Sequence, residues 1–237
     1  MSSTAPPEVR VLGAGQGADG LCAYADAVAL MEALTARPAD APDLLLCTEH
    51  PPTLTVGRKG GREHIRSTQW PQGDGSLLEV PVHEVARGGS VTWHAPGQVV
   101  VYPIVQLARQ DGPLGQGPLG DLPRFARLLE DAMQAACATC GIETRTRTGF
   151  AGLWIDEQTK IGSLGVALRG GWTWHGLALN VCTDLSGFEL LTHCGLAGVR
   201  MTTLQRECEA RGLPTPTTAA VREVLVAYLC AQLRRVS

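Results

Sequence analysis

Three apolar runs, Phe150 to Ile155, Ile161 to Leu168 and Thr173 to Val181, follow one another with only short turns between them. That spacing constrains the fold more than any other feature of the chain. Parallel neighbours need a crossover of roughly a dozen residues, so the three read as antiparallel strands, the last two joined at Gly170-Gly171. Leu122 to Cys140 precedes them and carries Leu122, Phe125, Leu128, Leu129, Ala132, Met133 and Ala136 on one face, an amphipathic helix closed by Gly141. Thr217 to Arg234 is a second such helix, with Val221, Val224, Leu225, Tyr228 and Leu229 inward. Upstream, Leu21 to Thr35 has helical spacing and stops at Arg37-Pro38. Leu44 to Cys47 and Thr53 to Val56 read as strands parted by His50-Pro51-Pro52. Leu77 to Val85 reads as a strand pair or one bent strand, and Val99 to Leu107 as a strand in which Pro103 marks an edge or a bend. Strands and helices mix without regular alternation. The expected class is α+β, with mixed, largely antiparallel sheets packed with helices. Residues 1–20 form a partly ordered lead-in, and 21–237 one domain, with a Gly/Pro loop from Gln110 to Asp121 that is either a flexible connection or a boundary.

Composition narrows the function. The chain has 237 residues and a net charge of −3, which gives no general pull toward nucleic acid or anionic lipid. No window approaches the ~18 apolar residues of a membrane span. Met1 to Arg10 has no basic-then-apolar run, so no signal peptide is expected. Eight cysteines, most among apolar neighbours, then fit a reduced, cytoplasmic protein. Of 20 basic residues only Lys59 and Lys160 are lysines. A lysine that persists against so strong an arginine preference is informative, because only lysine can lose its proton near neutral pH.

Four clusters carry chemistry. Arg87 to Gln98 puts a cation, paired glycines, two hydroxyls and an imidazole in twelve residues. Paired glycines let backbone N–H groups approach a ligand, although a glycine-rich hairpin turn with a surface arginine accounts for it as well. Lys160-Ile161-Gly162-Ser163-Leu164-Gly165 opens an apolar strand with a lysine. An interior position would force a partner or a lowered pKa on it; an edge position would make it a guard against aggregation. Trp174 to Asn180 is a small-residue strand bracketed by His175 and Asn180, either a groove wall or an ordinary core strand. Cys194 sits in a loop-like stretch, after His193 and before Gly195. Its thiol, near pKa 8.5, would be only about 3% thiolate at pH 7 without a nearby cation or base; a buried turn residue is the plainer reading. Cys137 and Cys140 have CxxC spacing, but they fall inside the strong helix without a second ligand pair, as core residues do.

In order and spacing these clusters resemble the lipoyl(octanoyl) transferases. The resemblance rests on His50-Pro51-Pro52, Arg87 to Gln98, Lys160 to Gly165, His175 to Asn180 and His193-Cys194-Gly195, and runs over about residues 44–205. Ala95 and His193 depart from it, standing where the family usually has Gly and Pro. The resemblance implies the α+β catalytic fold of lipoate and biotin protein ligases. It implies transfer of an octanoyl group from the pantetheine thioester of acyl carrier protein to a lysine of a lipoyl domain, the first step of endogenous protein lipoylation. The acceptors would be the lipoyl domains of 2-oxoacid dehydrogenases and the glycine cleavage H protein. It maps the acyl-accepting cysteine onto Cys194 and its activating lysine onto Lys160. It maps substrate contacts onto Arg87, Gly88, Gly89, Ser90, Val91, Thr92, Trp93 and His94, onto Ser163, Leu164 and Gly165, and onto Gly176, Leu177 and Ala178. No ATP or metal is expected, since the acyl group arrives activated. The rivals are an ATP-dependent lipoate or biotin ligase, an octanoyl amidotransferase on the same fold, and a non-enzymatic lipoyl-domain binder holding zinc through Cys137 and Cys140.

Overall fold

A computed structural model describes residues 6–13, 20–107, 122–192 and 198–233. In chain order the elements are β1 (Glu8–Val11), α1 (Tyr24–Thr35), β2 (Leu44–Thr48), β3 (Thr53–Val56), β4 (Gln69–Pro71), β5 (Leu77–Glu79), β6 (Val82–Glu84), β7 (Val91–His94) and β8 (Gln98–Ile104). Then come α2 (Leu122–Thr139), β9 (Arg145–Arg147), β10 (Phe150–Trp154), β11 (Thr159–Arg169), β12 (Trp172–Asn180), β13 (Arg200–Met201), α3 (Leu204–Glu209) and α4 (Thr218–Gln232).

The large sheet runs β1-β2-β8-β12-β11-β10-β9, with β13 beside β11. Within this sheet, among the described residues, only β1–β2 and β11–β13 are parallel. A small sheet, β6-β3-β7, stands apart from it, as does the β4–β5 hairpin. The central strands β2 and β8 are buried on both faces, which is why they read as unbroken apolar runs. Odd and even positions serve two cores. Leu45, Val99, Val101, Leu177 and Leu179 meet Phe125, Leu129 and Met133 of α2 and Leu225 and Leu229 of α4. Leu44, Leu46, Val100, Tyr102 and Ala178 face Ala27, Met31 and Leu34 of α1. A third core, around Trp70 and Trp93, underlies the small sheet. Gly141, at φ 74°, ends α2 as expected. Cys137 is fully buried in the first core.

Several expectations change. Glu8–Val11, inside the supposed lead-in, is an edge strand pairing with β2; all four residues are exposed, so no apolar pattern marks them. Leu77 to Val85 is two strands that do not pair with each other, β5 with β4 and β6 with β3. Pro103 lies in the interior strand β8 rather than at an edge. It is tolerated because the ladder from β12 stops at Leu177–Val101 and resumes only where Thr173 N–H donates to Val105 O at 2.8 Å. Opposite Pro103 stands His175, whose φ of 56° is the only positive value at a non-glycine among the described residues. Lys160 is also interior, since β11 runs between β10 and β12. The loop Gln110–Asp121 lies outside the described residues.

Candidate active site

The floor of the site follows from residue size. On β11 and β12, Ser163 pairs with Ala178 and Gly165 with Gly176. Alternation puts these four small residues together on the α1 face of the large sheet. A side chain at either glycine would strike main chain. A Cβ on Gly165 would lie 2.8 Å from Gly88 O, and one on Gly176 would collide with Val101 O and approach Pro103 Cδ to 2.9 Å. Gly176→Ala is therefore expected to cost about 3 kcal/mol of stability, read as a lowered urea midpoint at unchanged slope; an unmoved midpoint would show that β8 yields.

The roof is the small sheet and its leading loop. Gly88 N–H donates to Val166 O at 3.1 Å, seating the loop on β11. Arg87 is buried rather than a surface residue. Its guanidinium donates to Thr55 O at 2.8 Å, to Thr55 Oγ1 at 2.7 Å and to Gly88 O at 3.0 Å, so it clamps the loop to β3. Ser90 Oγ donates to Gly60 O at 2.8 Å.

Between floor and roof lies a cavity of about 300 Å³, at the small end of ligand pockets. It gathers Arg87, Gly89, Ser90, Val91, Thr92 and His94 from the roof with Lys160, Ser163, Leu164, Gly165, Gly176, Leu177 and Ala178 from the floor. Two of the anticipated contacts lie elsewhere. Trp93 alternates away from the cavity into the third core, where its indole N–H donates to Asp184 O at 3.2 Å and its ring meets Trp70 edge-on at 5.0 Å. Gly88 serves the inter-sheet bond. Lys160 Nζ donates to Ala151 O at 2.9 Å and stands 5.3 Å from the centroid of the Trp154 ring.

Sequence reasoning missed Tyr24, Lys59, Tyr102, Phe150 and Trp154 as lining residues, while His175, which brackets the possible groove wall, does line the cavity. For Lys59 a signal existed: the chain's two lysines both line this cavity. Tyr24, His94, Tyr102 and His175 make its deep polar end, where the Tyr24 and His94 rings stack at 5.4 Å. Burial is the main cause of low basicity here. It drives His50 down to about 4, His175 down to about 3 and His94 well below its ordinary range. His50 Nδ1 lies 2.7 Å from Cys22 O, which can only accept, so the proton sits on Nδ1 and Nε2 accepts from the Tyr102 hydroxyl at 2.8 Å.

Cys194 and His193 lie outside the described residues. The chain is anchored on both sides of them. Thr192 N–H donates to His64 O at 2.7 Å, and β13 runs along β11 with Met201 opposite Lys160. Among the described residues no set of three His, Cys, Asp or Glu side chains is placed to hold a metal ion, and no helix is long and apolar enough to cross a membrane.

Comparison with known proteins places this geometry. The model of the lipoyl protein ligase A/B catalytic domain matches residues 23–230. An octanoyltransferase of Syntrophotalea carbinolica is 42% identical over 189 residues, covering 79% of this chain and 81% of its own. Octanoyltransferases of Nitratidesulfovibrio vulgaris and a Mycobacterium species are 38% and 36% identical, over 90% and 98% of this chain and 91% and 87% of theirs. Among solved structures, a lipoate-protein ligase A bound with ATP superposes with a TM-score of 0.65 at 15% identity, covering 95% of this chain and 85% of that one. A biotin protein ligase from Leishmania major gives 0.51 at 10%, covering 98% and 78%. The fold is thus the α+β fold of the lipoate and biotin ligases, and by sequence the chain belongs to the octanoyltransferase family.

Proposed function

We propose that the protein moves an octanoyl group from the pantetheine thioester of acyl carrier protein to a lysine of a lipoyl domain, through an acyl-enzyme on Cys194. Membership of the octanoyltransferase family supports the acyl group and the acyltransferase class. The observation that carries the site is the convergence of three separate motifs, Arg87–His94, Lys160–Gly165 and Gly176–Ala178, on one slot. Its floor has room because four neighbouring positions carry almost no side chain. About six buried CH₂ groups at ~0.8 kcal/mol each give roughly 5 kcal/mol for holding the acyl chain.

In this reading Lys160 draws the proton from Cys194, or stabilises its thiolate, and the sulfur attacks the thioester carbonyl. The pantetheine thiolate leaves with a proton, and a new thioester forms on Cys194. The acceptor lysine, as the free amine, then attacks that thioester; the amide forms and Cys194 is released. The course of β13 beside Lys160 supports the pairing, because it returns the chain to that lysine seven positions after Cys194. Neither ATP nor a metal enters any step, and the reducing cytoplasm suits the free thiol. Dependence on added ATP would favour the ligase reading instead.

The test is the intact mass of the protein after exposure to octanoyl-acyl carrier protein, followed by peptide mapping. One octanoyl group on the peptide holding Cys194, discharged by a lipoyl domain, is the expected result. An adduct on any of the other seven cysteines, or no adduct in a protein that still turns over, overturns the reading.

A further inference from the structure

Two histidines that line the deep end of the cavity carry buried ring nitrogens without a hydrogen-bond partner: His94 Nε2 and both nitrogens of His175. A nitrogen kept from water without a partner costs about 1–3 kcal/mol, and in native structures such groups ask for an explanation.

The state of His94 follows from its neighbours. Gln98 Nε2 donates to Trp93 O at 3.2 Å and to Asn180 Oδ1 at 2.9 Å. Asn180 Nδ2 donates to Thr202 O at 3.1 Å. Trp93 O and Thr202 O are main-chain carbonyls and can only accept, so each amide must turn its NH₂ group toward its carbonyl. That orientation leaves Gln98 Oε1 as the atom 2.7 Å from His94 Nδ1. An oxygen there can only accept, and Nδ1 therefore carries the ring proton. Burial first, and then the neighbouring His50, keeps the ring neutral. Nε2 is left as a bare lone pair, and the Tyr24 ring stacked on His94 fixes its plane.

We propose that Gln98 and Asn180 are positioning residues that lock His94 with its proton on Nδ1, so that Nε2 accepts a hydrogen bond from an N–H group of a bound substrate. The identity of that group rests on the acyl-transfer reading. An octanoyl chain has no hydrogen-bond donor, whereas the acceptor amine and the amides of the pantetheine arm do. The three motifs that build the slot thus acquire a fourth component, a chain of two amides reaching from His94 to Thr202, whose own N–H donates to Lys160 O at 2.9 Å.

Nitrogen-15 NMR of the full chain, labelled at its six histidines, reads the tautomer directly. His94 is expected to show a protonated Nδ1 and a bare Nε2 in the wild-type protein. Gln98→Met should lose that signature. Gln98→Glu, as a neutral acid, should keep it, its carbonyl accepting from Nδ1–H while its hydroxyl donates toward Asn180. The two half-reactions are then timed separately, with octanoyl-pantetheine as donor and lysine amide as acceptor. Gln98→Met should raise KM about tenfold, the equivalent of one hydrogen bond, in one half-reaction, and Gln98→Glu should restore it. A rise on the donor side identifies a pantetheine amide, and a rise on the acceptor side the amine. A wild-type His94 protonated on Nε2 overturns the proposal whatever the variants do. So does an unchanged Gln98→Met spectrum, a pair of unresponsive half-reactions, or an equal loss in both that Gln98→Glu does not rescue. Because the spectrum requires no turnover, it stands apart from failure of the acyl-transfer reading, which a missing adduct on Cys194 would report.

Discussion

Arginine in place of Lys160 is expected to slow formation of the acyl-enzyme by about 10²- to 10⁴-fold, the range of a lost general base. The substitution keeps a cation but removes the only basic lone pair that the side chain can offer, since guanidinium does not deprotonate in proteins. It also tests the fit. Lys160 Nζ is held by Ala151 O at 2.9 Å, and Gly152, at φ 112°, stands so close that a Cβ there would lie 2.8 Å from Lys160 Cε. Cys194→Ser should accumulate no thioester at all. The pH profile of Lys160→Arg separates the roles of the lysine. If Lys160 only stabilises the thiolate as a cation, the arginine should keep the rate at neutral pH; if Lys160 takes the proton, the variant should regain rate as the pH rises toward the free-thiol value of about 8.5. Wild-type acylation rates in Lys160→Arg at neutral pH would exclude the lysine as the base and leave it only the role of a cation.

Acidification from pH 7 to pH 5 is expected to remove about 4 kcal/mol of folding stability through His50 and His175, a large share of the stability of many domains. The cause is a set of buried imidazoles, His94 and His175 lining the deep end of the cavity and His50 packed against His94 and Tyr102. Burial holds His50 at about 4, His175 at about 3 and His94 well below its ordinary range. In the unfolded chain each takes a proton near pH 6.5. Between those limits the unfolded state binds more protons, so stability rises with pH and falls with acid. It is complete above about 6.5 and drains as the pH drops toward the folded values. His50 and His175 then contribute about 2 kcal/mol each at pH 5, and His94 acts in the same direction. Urea midpoints at the two pH values give the answer; equal midpoints would mean that water reaches these rings.

How far the sequence could be read depended on whether a residue's role was local. The helices α2 and α4 declared themselves through periodicity, because each buries one face, and the strands β10, β11 and β12 through apolar runs parted by short turns, β12 being buried on both faces. Glu8–Val11 did not, since an exposed edge strand is held by main-chain bonds that leave no apolar trace. Pro103 misled for a related reason: its missing N–H falls where β12 has already left the ladder at His175, a gap set by a residue more than seventy positions away. For Arg87 the sequence left a surface turn and a ligand loop equally open, because its partner, Thr55, lies on another strand. The motif residues of the cavity were legible as clusters. Tyr24 and Tyr102 were not, because α1 and β8 reach the slot only through packing.

The floor of the slot divides the labour between neighbours. At 165 and 176 any side chain would wedge the main chain apart, so these positions are closed to variation. At 163 and 178 small side chains line the cavity, so a larger residue shortens the slot; Ser163 lies outside the buried cores, whereas Ala178 also packs against α1. A lineage carrying this architecture can therefore drift at Ser163 in the fatty chain it prefers while its thermodynamic robustness stays untouched, and an engineer can retune the one without renegotiating the other.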